Sequence, residues 1–186
     1  NQGMRHWFKE NLPFKIEREF PGINVDDNYN GIGITMCYDK RFNQLFITKL
    51  DYETKNPDIK YDITNKLFYL GSTGQEVKLS DKKYFKNKSW TVSWSFYRKE
   101  WVSFHSFTPN YYIEEIDTFL SGNSQGLWQH NITNKSYQIF YNKLEPFIIE
   151  TIAKGSLDYD VLKSVSYYTD FIRYHNEFDF YYNLEQ

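Results

Sequence analysis

Between Trp90 and Phe107 the chain reads WTVSWSFYRKEWVSFHSF, and its side chains alternate with a period of two. Trp90, Val92, Trp94 and Phe96 fall on one face of an extended backbone, and Thr91, Ser93 and Ser95 on the other. A helix would scatter those rings around its axis, because its period is about 3.6 residues. Arg98, Lys99 and Glu100 make a turn, after which Trp101 to Phe107 returns. The stretch predicts an antiparallel hairpin. Trp90, Trp94, Phe96, Trp101, Phe104 and Trp128 are its expected aromatic core, with Trp90, Val92, Trp94 and Phe96 as the densest part.

The same grammar recurs. Ile32, Ile34, Met36 and Tyr38 alternate with Gly33, Thr35 and Cys37 and lead into Asp39-Lys40-Arg41-Phe42-Asn43, after which LFITKLDY reverses. Asp suits the first position of a turn, and Asn tolerates the left-handed backbone that ends many hairpin loops. These five residues are therefore a structural turn, with Asp39 as its cap. IKYDITNKLFYL is a second hairpin around Thr64-Asn65-Lys66, and YQIFY, NKLE and PFIIETI form another, with Pro146 opening a strand. YYIEEIDTFL fits a helical turn or a strand pair, and GLWQHN a short strand. The tail from Val161 fits a strand better than a helix, given its Val, Thr and Tyr. A loose echo links CYDKRFNQLFI, FYRKEWVSF and FYNKLEPFII: a strand ending in Tyr, a basic turn, a new strand.

The expected fold is mainly β, built from antiparallel hairpins in a meander or in propeller-like blades, with a short N-terminal helix. Aromatic residues make up 20% of the chain, half of its 40% hydrophobic content, and they favour pleated surfaces. Residues 1–30 are read as a helix interrupted at Pro13, followed by an extended arm and a loop. Residues 31–186 are the antiparallel region, and 1–186 is taken as one domain. The chain starts at Asn1, which reads as a fragment of a larger protein. The charged run from Asp81 to Lys88 reads as a solvated loop.

Catalytic patterns are sparse. Gly31-Ile32-Gly33 precedes a strand instead of opening a helix, which excludes a dinucleotide loop, and no phosphate loop, nucleophile elbow or HExxH motif occurs. His6, His105, His130 and His175 are scattered, so no local metal motif forms; a pair of His105 and His130 across a sheet is the one metal alternative. Glu114, Glu115 and Asp117 are the best carboxylate cluster, although adjacent carboxylates usually mark a solvated loop. The single Cys37 rules out an internal disulfide and reads as a buried thiol. Trp90, Trp94, Trp101 and Trp128 could stack sugar rings, but alternating Trp more often packs a core. Sequons stand at Asn87, Asn131 and Asn134. A net charge of −2 gives no basic field for nucleic acid, and no apolar run is long enough to span a bilayer. No catalytic residue, cofactor or metal is expected.

Taken together and in order, RHWFKENL, YDKRFNQLFITKLDY, WTVSWSFYRKEWVSFHSFTPNYY, LWQHN and YQIFYNKLEPFIIE resemble the muzzle proteins at the distal tail end of crAss-like bacteriophages. The match covers most of Arg5 to Gly155, with the family's Asp-Lys-Arg-Phe-Asn turn at Asp39–Asn43 and its Trp-x-Ser-Phe-His element at Trp101–His105. The resemblance implies a non-enzymatic virion protein in the phage tail. Its expected partners are other copies of itself in a ring-shaped nozzle for ejection and neighbouring tail proteins, without specific nucleic-acid binding or a membrane span. The alternative from the residues alone is a glycan-binding β domain.

Overall fold

The structure, a computed structural model, describes residues 2–132, 139–144, 171–172 and 181–182. The chain divides into two compact units, Asn1–Phe147 and Ile148–Gln186. The first unit opens with helices α1 (Gln2–Asn11) and α2 (Lys15–Glu19), so the expected arm after Pro13 is helical at its start. Strands β1 (Gly33–Asp39), β2 (Gln44–Leu50), β3 (Tyr52–Thr54), β4 (Ile59–Asp62), β5 (Leu67–Leu70), β6 (Glu76–Val77) and β7 (Phe85–Asn87) follow. Then come β8 (Trp90–Ser95), β9 (Glu100–His105), β10 (Tyr111–Glu114), β11 (Phe119–Asn123), β12 (Gly126–Gln129), β13 (Ile139–Phe140) and β14 (Lys143–Leu144). In the second unit β15 (Phe171–Ile172) pairs antiparallel with β16 (Tyr181–Tyr182). Val161, His175, Asn134 and PFIIETI with Pro146 lie outside the described residues.

The fold is mainly antiparallel β in several sheets, none closed into a barrel, with the short helices at the N-terminus. Its largest sheet has the order β1-β2-β8-β9. Cys37 sits opposite Phe46, Ile47 opposite Val92, and Val92 opposite Phe104. β10, β11 and β12 make a second sheet, while β4-β5-β6 and the pair β3-β7 fill the long insertion between β2 and β8. Phe85 of β7 is buried and Tyr84 beside it as well, so the run Asp81–Lys88 is not simply a solvated loop. YYIEEIDTFL is a strand pair.

Three hairpins share one turn design. Each loop has four residues, between Asp39 and Gln44, Asp62 and Leu67, and Ser95 and Glu100. In each, the last strand residue accepts backbone N–H bonds from the loop: Asp39 from Arg41, Asp62 from Thr64 and Asn65, Ser95 from Arg98. Each loop ends in a left-handed residue, with φ of 51° at Asn43, 54° at Lys66 and 56° at Lys99. The side-chain acceptor tightens the bend, and the left-handed residue aims the chain back along its partner. The third member of the expected echo, FYNKLEPFII, differs. Its loop is only Tyr141-Asn142, both left-handed, which is the type I′ solution. IKYDITNKLFYL takes its place.

The main sheet is covered on both faces. Trp7 and Phe8 of α1 lie edge-on to Trp90, and they also reach Phe104 and Trp101 respectively. On the other face Cys37 and Phe46 pack with Phe107 and Phe119. That second face holds Thr48, Thr91 and Ser93, all completely buried. This corrects the expectation that Trp90, Val92, Trp94 and Phe96 form the densest core. Trp90 and Val92 are buried, Trp94 and Trp101 are half-buried, and Phe96 lies beyond the end of β8, 47% exposed. Phe104 is 56% exposed and Trp128 half-buried. In β1 the buried residues are Gly33, Cys37 and Asp39, whereas Met36 is 59% exposed. The register explains this, because Cys37 shares its face with the larger Phe46.

A buried ion pair fastens the helices to the sheet. Lys49 Nζ stands 2.6 Å from Asp51 Oδ2, and both side chains are essentially inaccessible. Lys49 also donates to the carbonyls of Asn11 and Pro13, where α1 ends. Asp51 accepts the backbone N–H groups of Lys15 and Ile16, where α2 begins. Phe14, the residue before α2, supplies no side-chain cap, so the distant carboxylate does it. Among the described helices none is long and apolar enough to cross a membrane.

Removing one member of such a pair strands the other charge. We expect Asp51→Ala to cost about 3–5 kcal/mol and to expose the N-terminal helices to proteolysis before the rest unfolds. Urea titration with limited proteolysis checks this; a change below ~1 kcal/mol would contradict it.

Candidate functional site

The Asp39–Asn43 turn is a scaffold element clasped from two sides. Asp39 Oδ1 accepts the N–H groups of Arg41 at 3.0 Å and Phe42 at 3.4 Å, as its capping role requires. Its Oδ2 accepts the side-chain amide of Asn131 at 2.8 Å, and Arg41 donates back to the Asn131 carbonyl at 2.9 Å. Tyr38 donates its hydroxyl proton to Asn43 Oδ1 at 2.7 Å. Lys40 and Phe42 face solvent, the latter under the Arg41 guanidinium. The turn thus joins the first hairpin to the segment after β12, and the Asn131 sequon is engaged in holding it.

The polar groups that would attract a chemist are mostly inside. His105 Nε2 lies 2.9 Å from Ser93 Oγ, and His130 Nε2 lies 2.6 Å from Ser121 Oγ. Both serines are completely buried, beyond the reach of a substrate. The His130 ring stacks on Phe119, and His105 tilts against Phe46 and Phe107. Burial pulls both imidazoles from 6.5 to about 4, with a further push on His130 from His105. Thr48 bonds Thr91 and the Tyr112 hydroxyl, whose pKa burial raises. Cys37 is raised to about 12 by burial and then by Glu114 and Asp39, which leaves the thiol unreactive.

Among the described residues no three His, Cys, Asp or Glu side chains gather as a metal would require. His6 is paired with Glu10 along α1. Glu114, Glu115 and Asp117 lie on the exposed β10–β11 turn, and Glu114 accepts the Tyr38 backbone N–H. None of these carboxylates lines a cleft described here. The Trp rings do not make one platform either: Trp90 and Trp101 lie against α1, and Trp128 packs on Tyr141 at 4.2 Å.

A recess of about 830 Å³ was not visible in the sequence. Five separated segments build it: the turn at Tyr29–Gly31, the β2–β3 junction, the residues from Lys78 to Asn87, Thr108–Tyr111 and Asn123–Gln125. Tyr29 projects at its rim, 82% exposed. Asn110 fixes that turn by donating its amide to the carbonyls of Asn28 and Tyr29. Tyr111 lies across Gly122, where any side chain would collide with its ring. A smaller recess of about 500 Å³ lies over the Lys49–Asp51 pair, edged by Lys9, Lys15, Arg18 and Lys88. Comparison with family models, curated proteins and solved structures gives no match.

The buried imidazoles set a pH dependence with a defined sign. Their folded pKa values lie below the unfolded one, so between pH 6.5 and 4 the unfolded chain binds protons that the folded chain refuses. Their contribution is intact above pH 6.5 and is lost as pH falls through 4. We expect stability to drop over that window by up to roughly 3 kcal/mol per histidine. A His105→Asn, His130→Asn double variant should show a flatter slope in denaturant titrations across the same pH range. An unchanged slope would refute the assignment.

Proposed function

We propose that this chain is a structural, non-enzymatic component of a phage tail, similar to the muzzle of crAss-like bacteriophages. In this reading copies assemble as a ring-shaped nozzle in the virion and contact neighbouring tail proteins during ejection. The observation that carries it is where the chain puts its chemistry. Ser–His pairs and the buried lysine are spent on internal bonds and the thiol is buried, whereas apolar side chains remain on an outer sheet edge. Among the described strands β9 pairs only with β8. It presents Val102, 41% exposed, and Phe104, with Phe96 and Tyr97 exposed on the turn before it. An outer strand of this kind is a template for another chain. The motif resemblance adds the identity of the assembly.

A second reading, recognition of a host-surface carbohydrate, is favoured by the cleft beside Tyr29. Aromatic rims suit pyranose rings, and side-chain amides suit their hydroxyls.

Sedimentation and negative-stain imaging test the assembly. Rings are expected for the unaltered protein, and Val102→Lys should shift it towards monomer without changing its circular dichroism. A protein that stays monomeric at high concentration, or a variant forming the same rings, would overturn the proposal.

A further inference from the structure

We infer that the cleft beside Tyr29 takes an acidic saccharide, one carrying carboxylate or sulfate groups; this rests on the carbohydrate reading above. The lining contains no Asp or Glu, although the whole chain has 24 acidic and 22 basic residues. It does contain Lys78 and Lys82, both exposed. Among the described residues neither ammonium group has a carboxylate within ion-pair distance. A cleft without carboxylates and with two such cations favours an anion over a neutral ligand.

The remaining polar groups fit the same ligand. Asn87 uses its side-chain oxygen to accept from Ser89, and Asn123 uses its own to accept from Gln125; both residues line the cleft, and the amide nitrogen of each is a further donor. Such donors suit carboxylate and sulfate oxygens as well as ring hydroxyls. Tyr29 gives a face on which a pyranose can rest, and its backbone is fixed before any ligand arrives. Asn110 holds one side of the turn, and Asp27 and Ile32 exchange backbone bonds across its base. Gly31, at φ 98°, closes the bend in a conformation that side chains disfavour. Preorganisation of this kind lowers the ordering cost of binding. The volume of about 830 Å³ admits a short oligosaccharide segment and falls within the usual range for ligand sites.

Isothermal titration with hyaluronan tetrasaccharide (carboxylates), chondroitin sulfate tetrasaccharide (carboxylates and sulfates) and neutral cellotetraose tests the inference. At least one acidic probe should bind, more weakly at high salt, and cellotetraose should bind much less. A Lys78→Ala, Lys82→Ala double variant should lose about tenfold in affinity, and Tyr29→Ala should weaken binding with its fold intact by circular dichroism. Equal binding of cellotetraose, unaffected by the lysine changes, would overturn the acidic preference while leaving the carbohydrate reading standing. Absence of binding by all three probes would overturn both. Binding of acidic probes that survives the lysine and Tyr29 changes would place the site elsewhere and overturn the assignment to this cleft.

Discussion

Two charges at the end of one strand organise the first unit. Lys49 and Asp51 are buried together, and each does a second job at a helix terminus. The ammonium group meets the carbonyl end of α1, and the carboxylate meets the amide end of α2, the polarity that helix dipoles favour. Burial pulls the lysine pKa down, and the adjacent carboxylate works against that pull. The desolvation cost is offset because nearly every polar atom has a partner in place. Pro13 breaks the helix between the two ends, which lets both be reached from a single strand edge. With α1 seated, Trp7 and Phe8 can close over the tryptophan face of the main sheet.

The opposite face follows a different logic. Small hydroxyl residues occupy it and find partners in other segments: Thr48 with Thr91 and Tyr112, Thr91 with the Phe107 carbonyl, and Ser93 with His105, while Ser121 of β11 meets His130 and Tyr141. Satisfied hydroxyls can be buried without loss, and their small size lets aromatic rings from elsewhere approach closely. Phe107 and Phe119 fill that space. The interior of this protein is therefore aromatic and hydrogen-bonded at once, and it places two histidines in neutral form against rings.

Strands and turns were legible because their signals are local. Alternation in WTVSWSF sets the two faces, and Asp39 with Asn43 specifies a bend within five residues. Which face lies deeper was not legible. Alternation by hydrophobicity favours the tryptophans, but depth depends on partners that the fold brings from far along the chain, such as Tyr112 for Thr48. Lys49 misleads for the same reason, since a charged residue in a strand normally points to water. The cleft left no trace either, because its lining comes from five segments far apart in the chain that share no local pattern.

The unequal edges of the main sheet bear on how copies could associate. β1, at one end, spends a backbone N–H on Glu114 of the neighbouring β10, whereas β9 at the other end has no second strand beside it among those described. Were two copies to join β9 to β9, the contact would be isologous: a two-fold axis would run through it and growth would stop at a dimer. A closed ring instead demands a heterologous contact, in which this edge meets a different surface of the next copy and the step angle divides a full turn. In such a ring the open edge would supply only half of the joint, and the number of subunits would be set by the geometry of the surface that receives it.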